Sequence, residues 1–239
     1  MKNLLLFGCI IILALASCKT PGSSSTTTTA TPKDPEAIQD STVRAIKRSF
    51  EANSPAASFD SFIKAISMGD GNSAVEMVSP ETLDYYAALY GKVINSNAPQ
   101  IQAMPVGTQM TILKSRILMA DRGLKNMEPA SFFKNLVETG AIDKIALKLI
   151  KLGNIETVGQ GASASVTMNG VSASNRVKFS QSESGEWLIN LSDILPESTQ
   201  LYNKALVGKG IDVDAHLVTT LAPISQGGTF NQATYNPVR

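Results

Sequence analysis

The sequence predicts an α+β domain in which helices come first and an antiparallel sheet follows. Two observations carry the prediction. Apolar residues recur at helical spacing from residue 54 to about residue 153. The spacing then changes to alternation between residues 162 and 191, punctuated by Asn169-Gly170 and Ser184-Gly185, pairs that favour tight hairpin turns. An apolar fraction of 43% and a charged fraction of 17% over 239 residues suit a packed core rather than a disordered chain.

The helical half opens with a weakly amphipathic stretch, residues 36–52, marked by Ile38, Val43, Ile46 and Phe50. Ser54-Pro55 then starts a strong helix, with serine as cap and proline in the first turn, where its missing N–H costs nothing. Phe59, Phe62, Ile63 and Ile66 form one apolar face of it, and Gly69 stops it. A short helix is expected around Ala74–Val78. Ser79-Pro80-Glu81 repeats the start signal, and Leu83, Tyr86, Tyr90 and Val93 line the next helix. Residues 98–109, punctuated by proline and glycine, are expected to be loop. Ile112–Ala120 is expected to be helical, since Met and Leu outnumber β-branched residues. Glu128-Pro129 starts a helix bearing Phe132, Phe133, Leu136 and Val137 and ending at Gly140. Ile142, Ile145, Leu149 and Leu152 predict a further helix ended by Gly153.

The sheet is expected to be a three-stranded meander. Ala162, Ala164, Val166 and Met168 alternate with Ser163, Ser165 and Thr167. Val171, Ala173, Asn175, Val177 and Phe179 form the return strand, and Trp187, Ile189 and Leu191 the third. Residues 197–207 suggest a closing helix.

The beginning of the chain carries a different signal. Met1-Lys2-Asn3 is a short basic start, and Leu4–Ala16 is an apolar run of 13 residues broken only by Gly8. A membrane-spanning helix needs about 20 residues, whereas a secretory signal core needs roughly 7–15. The run ends Leu15-Ala16-Ser17-Cys18, which resembles the lipobox of bacterial lipoproteins: an aliphatic residue, two small ones, then cysteine. The resemblance implies that Leu15, Ala16 and Ser17 are recognised by the signal peptidase. It implies that Cys18 carries diacylglycerol and becomes the anchored N-terminus, making the membrane the first expected partner. Lys19, in place of the aspartate that retains enterobacterial lipoproteins in the inner membrane, favours the periplasmic side of the outer membrane.

The domain organisation expected is therefore a lipoprotein signal at 1–17 and a lipidated cysteine with a Ser/Thr/Pro-rich linker at 18–35. A globular domain at 36–196, a C-terminal helical segment at 197–222 and a flexible tail at 223–239 follow. The linker KTPGSSSTTTTATPKDP has no apolar periodicity and cannot offset its ordering entropy. As a flexible spacer it spans roughly 20–25 Å.

A second resemblance covers roughly residues 56–96 and 154–195. Phe62-Ile63-Lys64-Ala65-Ile66-Ser67-Met68-Gly69-Asp70, followed by Ala74 and then Ser79-Pro80-Glu81, resembles the opening of the nuclear-transport-factor-2-like family. Val177-Lys178-Phe179 and Gly185-Glu186-Trp187-Leu188-Ile189 are similar to that family's final hairpin. Behind a lipobox, the order is similar to small Bacteroidota lipoproteins of this fold that carry no assigned activity. The resemblance implies helices packed on a bent antiparallel sheet, a cone, with residues 98–153 as a helical insertion. It also implies a pocket that takes a small apolar ligand, or a surface for an envelope protein.

Some members of that family are isomerases or cyclases, which need a carboxylate or histidine base and an oxyanion donor in an apolar cavity. No such pair can be mapped here, so the expectation is a non-catalytic module, with a structural or assembly role and an isomerase-like enzyme as alternatives. The residues the resemblance would place at a pocket are Tyr86, Tyr90, Met119, Trp187 and Asp193. Each also has a plainer reading: the aromatic residues fit a core, and Asp193 fits a cap or turn. Asp121-Arg122 fits a helix-end pair.

Other classes are excluded more simply. Removal of residues 1–17 takes away Lys2 and leaves equal numbers of basic and acidic side chains. Lys144/Lys148/Lys151 and Arg44/Lys47/Arg48 fit solvated helix faces, too sparse for a nucleic-acid partner. Cys9 lies in the signal and Cys18 in the lipobox, so no disulfide or cysteine metal site is expected. His216 is the single histidine and is expected to be structural. No phosphate-binding glycine motif or nucleophile elbow occurs, and no cofactor is expected.

Overall fold

The computed structural model describes residues 53–142, 150–168, 170–225 and 232–238. Within them the protein is α+β, with eight α-helices and an open antiparallel sheet of five strands. The proposed signal, Cys18, the linker and the 36–52 stretch lie outside the described residues, as do Ile145 and Leu149.

The first helices form where the capping chemistry dictates. Ser54 Oγ accepts the Ala57 N–H at 3.2 Å ahead of α1 (Pro55–Met68). Gly69 ends it in the left-handed region (φ +76°), where the absence of a β-carbon removes the steric penalty. Asp70 caps α2 (Gly71–Glu76), and hydrogen bonds from Ser73 hold its carboxyl below the usual range. Proline occupies the first turn of α3 (Pro80–Asn95) and of α6 (Pro129–Thr139). Between them lie α4 (Ala98–Gln102) and α5 (Val106–Leu118).

Residues 98–109 are therefore not loop. Asn97 and Gln100 form a reciprocal capping box at 3.1 and 2.9 Å, and Pro99 sits in the first turn of the helix rather than breaking it.

The sheet has the order β1-β2-β4-β5, with β3 paired to β2. Its strands are β1 (Ile150–Val158), β2 (Gly161–Met168), β3 (Val171–Ser172), β4 (Val177–Gln181) and β5 (Trp187–Asn190). Leu152 and Gly153 belong to strand β1, not to a helix. In register with β2, Ile150, Leu152 and Ile155 face the same side as Ala164, Val166 and Met168. Of the residues that suggest a helix, only Leu152 lies in β1, and an insertion at Gly153-Asn154 interrupts the strand's own alternation. Lys151, too, lies on a strand; Lys144 and Lys148 are outside the described residues.

The return strand is also different from the meander expected. It breaks at residues 173–176 into β3 and β4, and Val171 is exposed. The β4–β5 hairpin forms at the expected turn.

One face of the sheet is buried. Ala164, Val166, Val177, Phe179, Trp187 and Ile189 are each under one-tenth exposed, whereas Ser163, Ser165 and Thr167 face outward. Helix α1 packs on this face against β5 and β1. Phe62, Phe132 and Phe133 are almost wholly buried, and each such side chain contributes about 1.5–3 kcal/mol relative to exposure.

After β5 come α7 (Ile194–Gly208) and α8 (Val213–Leu221), packed on α5. Leu206, Leu217 and Leu221 join the same core cluster, so the expected boundary at 196/197 falls inside a helix of one domain. Of the tail expected to be flexible, described residues near its end are docked. Tyr235 is 6% exposed, and the Val238 N–H donates to the Ile94 carbonyl at 2.9 Å. The buried Arg116 donates to the carbonyls of Val93 (2.8 Å), Ser96 (2.7 Å) and Thr234 (3.1 Å). Its cation thus meets the negative end of α3 as well as the tail.

Candidate functional site

The residues singled out from sequence do not converge. Tyr86, Tyr90, Met119 and Trp187 are buried in the core, and Asp193 is apart from them on the surface. Tyr86 packs edge-on to Tyr85 and lies 4.5 Å, ring centre to ring centre, from Phe133. Burial pushes its phenol well above the ordinary range, followed in effect by the neighbouring Tyr85. Tyr90 donates its hydroxyl to the Leu124 carbonyl at 3.0 Å, so its polar end is used structurally. The Trp187 carbonyl accepts a 2.6 Å hydrogen bond from Ser58. No aspartate or glutamate among the described residues is buried beside these phenols.

The described cavity lies elsewhere, where the return strand breaks. Ala173 still donates its N–H to the Val166 carbonyl of β2, but residues 174–176 leave the ladder, and helix α7 begins beside them. Glu197, in the first turn of α7, accepts the N–H groups of Ser174 (2.6 Å) and Asn175 (2.8 Å), and Asn175 donates its side chain to the Asp193 carbonyl. The break is thus closed by a helix-borne carboxylate in place of a strand. Burial alone raises the Glu197 pKa, but the hydrogen bonds from Ser174 and Asn175 outweigh it and hold the group below the usual range. The resulting stabilisation is present above the ordinary glutamate range and is lost as pH falls through the depressed value.

The cleft holds about 350 Å³ and is lined by Ser172, Ser174, Asn175, Asp193, Glu197 and Lys204, among others. Asp193 precedes α7 and pairs with Lys178 at 2.7 Å, which raises the lysine pKa through the hydrogen bond first and the charge second. Both carboxylates are therefore engaged. The cleft offers hydroxyls, amides and one lysine to a polar group, but no free acid and base side by side.

Asp121-Arg122 forms a 3₁₀ turn, with Arg122 paired to Glu138 at 3.5 Å. His216 contacts the Tyr202 hydroxyl at 2.5 Å on the exposed C-terminal helices. Among the described residues no three His, Cys, Asp or Glu side chains group as metal ligands, and no helix is long and apolar enough to cross a membrane.

No protein-family model, curated protein or solved structure matches the chain.

Sequence reasoning missed the Glu197 cleft. The signal available was the interrupted alternation at Ser172-Ala173-Ser174-Asn175-Arg176 combined with a glutamate in the first turn of the next helix.

Proposed function

We propose that this chain is a lipid-anchored cell-envelope protein whose domain has a nuclear-transport-factor-2-like cone fold and serves as a non-catalytic docking module for a partner protein. The observation that carries the reading is Leu15-Ala16-Ser17-Cys18 placed directly after a 13-residue apolar run. Acyl chains contribute about 0.8 kcal/mol per buried CH₂, and two or more give stable anchoring. The Lys19 signal favours the periplasmic side of the outer membrane.

Helices followed by an antiparallel sheet, with α1 against the apolar face, support the cone reading. A partner protein is favoured over a small apolar ligand because the apolar face is filled by Phe62, Ile66, Trp187 and Ile189, while the described cleft is polar. Exposed Val207 and Val218 on α7 and α8, with Ile211 in the connection between them, support the related assembly role. The isomerase-like alternative is disfavoured because no aspartate or glutamate among the described residues is buried.

Metabolic labelling with palmitate and detergent phase separation test the anchor. The chain should label and enter the detergent phase, and Cys18→Ser should do neither. An unlabelled wild-type chain found wholly in the aqueous phase would refute the lipid anchor.

A further inference from the structure

The two edges of the sheet are finished differently. Outside β5, the Ser79 N–H donates to the Ile189 carbonyl and the Ile189 N–H donates to the Met77 carbonyl, both at 2.9 Å. Outside β1, no described strand pairs, although β1 is the longest strand of the sheet.

We propose that β1 is a self-recognition strand: two copies of this chain pair their β1 strands antiparallel about a two-fold axis between Gly153 and Asn154, joining their sheets edge to edge. The proposal rests on β1 alone, and on neither the lipid anchor nor the cone fold.

The sequence of β1 is self-complementary once its insertion is counted. In an uninterrupted strand, residues 151 and 156 point to opposite faces. The insertion between Leu152 and Ile155 corrects this. Lys151 aligns with Thr167 and Glu156 with Ser163, both on the outward face, while Leu152 and Ile155 align with Val166 and Ala164 on the buried face. A two-fold axis between Gly153 and Asn154 then sets Lys151 of each copy opposite Glu156 of the other, and Leu152 opposite Ile155. Residues directly opposite across antiparallel strands share a face, and opposite charges there are favourable. Every contact occurs twice, as an isologous interface requires.

Bulges and edge lysines usually protect a sheet edge from pairing. Here the bulge is what brings the lysine and the glutamate onto one face. It is also held in place. Arg176 donates to Ser163 Oγ at 3.0 Å and to the Asn154 carbonyl at 3.4 Å, and it pairs with Glu156 at 3.3 Å. Glu156 is still more than half exposed and can accept a second cation from the outer side. At the axis, Gly153 presents no side chain; a β-carbon there would collide with Ser165 Oγ of its own sheet. Leu152 and Ile155, half-buried in one copy, are covered further by their counterparts. The area involved is that of a strand edge, at the small and transient end of protein interfaces.

A zero-length carbodiimide cross-linker on the full chain in detergent tests this, using a mixture of ¹⁴N- and ¹⁵N-labelled protein. Within one chain the two groups are about 15 Å apart along the strand, so an amide between Lys151 and Glu156 forms only between copies. A heavy–light Lys151–Glu156 peptide is expected. Sedimentation velocity in density-matched detergent supplies the second reading: a concentration-dependent dimer, lost in K151E and in E156K and restored in the double K151E/E156K. Circular dichroism of K151E should match the wild type; E156K and the double both lose the Arg176 pair at the bulge, so the comparison between those two isolates the contact between copies. A chain that stays monomeric at every concentration, a dimer fraction unaltered by the single reversals, or cross-links that map only elsewhere would each overturn the proposal.

Discussion

The edges of this sheet show two ways to finish a strand. The β5 edge is met by groups more than a hundred residues away: Ser58 reaches the Trp187 carbonyl across 129 positions, and Thr82 reaches the Ile189 carbonyl across 107. Thr82 is wholly buried, and its hydroxyl both donates to Ile189 and accepts the Leu191 N–H at 2.8 Å. The β1 edge receives nothing comparable from the described helices, and Val158 there is 82% exposed. A sealed edge joins the helical half of the sequence to the sheet half. The open edge is held by its hairpin neighbour, by Arg176 and by its inward side chains, while Lys151 and Val158 on it stay exposed.

If this contrast is right, substitutions at β5 should disturb the whole fold and those on β1 should not. The largest effect is expected for Trp187→Ala. Its side chain is 8% exposed, and truncation of such a residue costs about 3–5 kcal/mol, out of a total stability of about 5–15 kcal/mol. Thermal melts followed by circular dichroism should show the domain unfolded or nearly so. An unchanged melting temperature would remove Trp187 from the core.

Thr82→Val should come next. It keeps the shape but strands the Leu191 N–H and an Ile189 carbonyl bond in a buried place, at a cost of about 1–3 kcal/mol. For a domain of this size, each kcal/mol corresponds to roughly 2–4 °C of melting temperature. A variant that melts with the wild type would mean that helix α3 does not seal the edge.

The smallest effect is expected for Val158→Thr on the open strand, within about 0.5 kcal/mol of wild type by urea titration. A larger loss would place something against β1.

How much of this was legible in the sequence differs by region, for physical reasons. Helices α1, α3 and α6 announce themselves through Pro55, Pro80 and Pro129 and through one apolar face each. Caps and faces are local properties, so local reading finds them. Helix α4 escaped because Pro99 suggested a loop, although Asn97 and Gln100 spell a capping box. Strand β1 escaped because Ile142, Ile145 and Leu149, three of the four residues that suggest a helix, precede it, and because the insertion at Gly153-Asn154 breaks the alternation that would have marked the strand. Trp187 and Ile189 share the buried face of β5 as expected, whereas Leu191, also buried, follows the end of the strand. The site residues were less legible. Tyr86 and Tyr90 have the chemistry of a pocket, but nothing in their spacing distinguishes a pocket wall from a core. Glu197 becomes visible only once the strand break, 22 to 23 positions earlier, is brought beside it.

The Arg116 clasp has a consequence for the order in which the domain can be made. It binds the Thr234 carbonyl 118 positions further on, within a few residues of the chain's end. With Ser58 waiting for Trp187 and Thr82 for Ile189, the early helices can pack on one another and on α6, but the part of their apolar faces that meets β5 stays uncovered until that strand is made. Contacts so distant in sequence must close large loops first, and closing them is slow. The early helices therefore have no complete native sheet to pack on until β5, which ends at Asn190, has been made, and the clasp cannot close before Thr234 has.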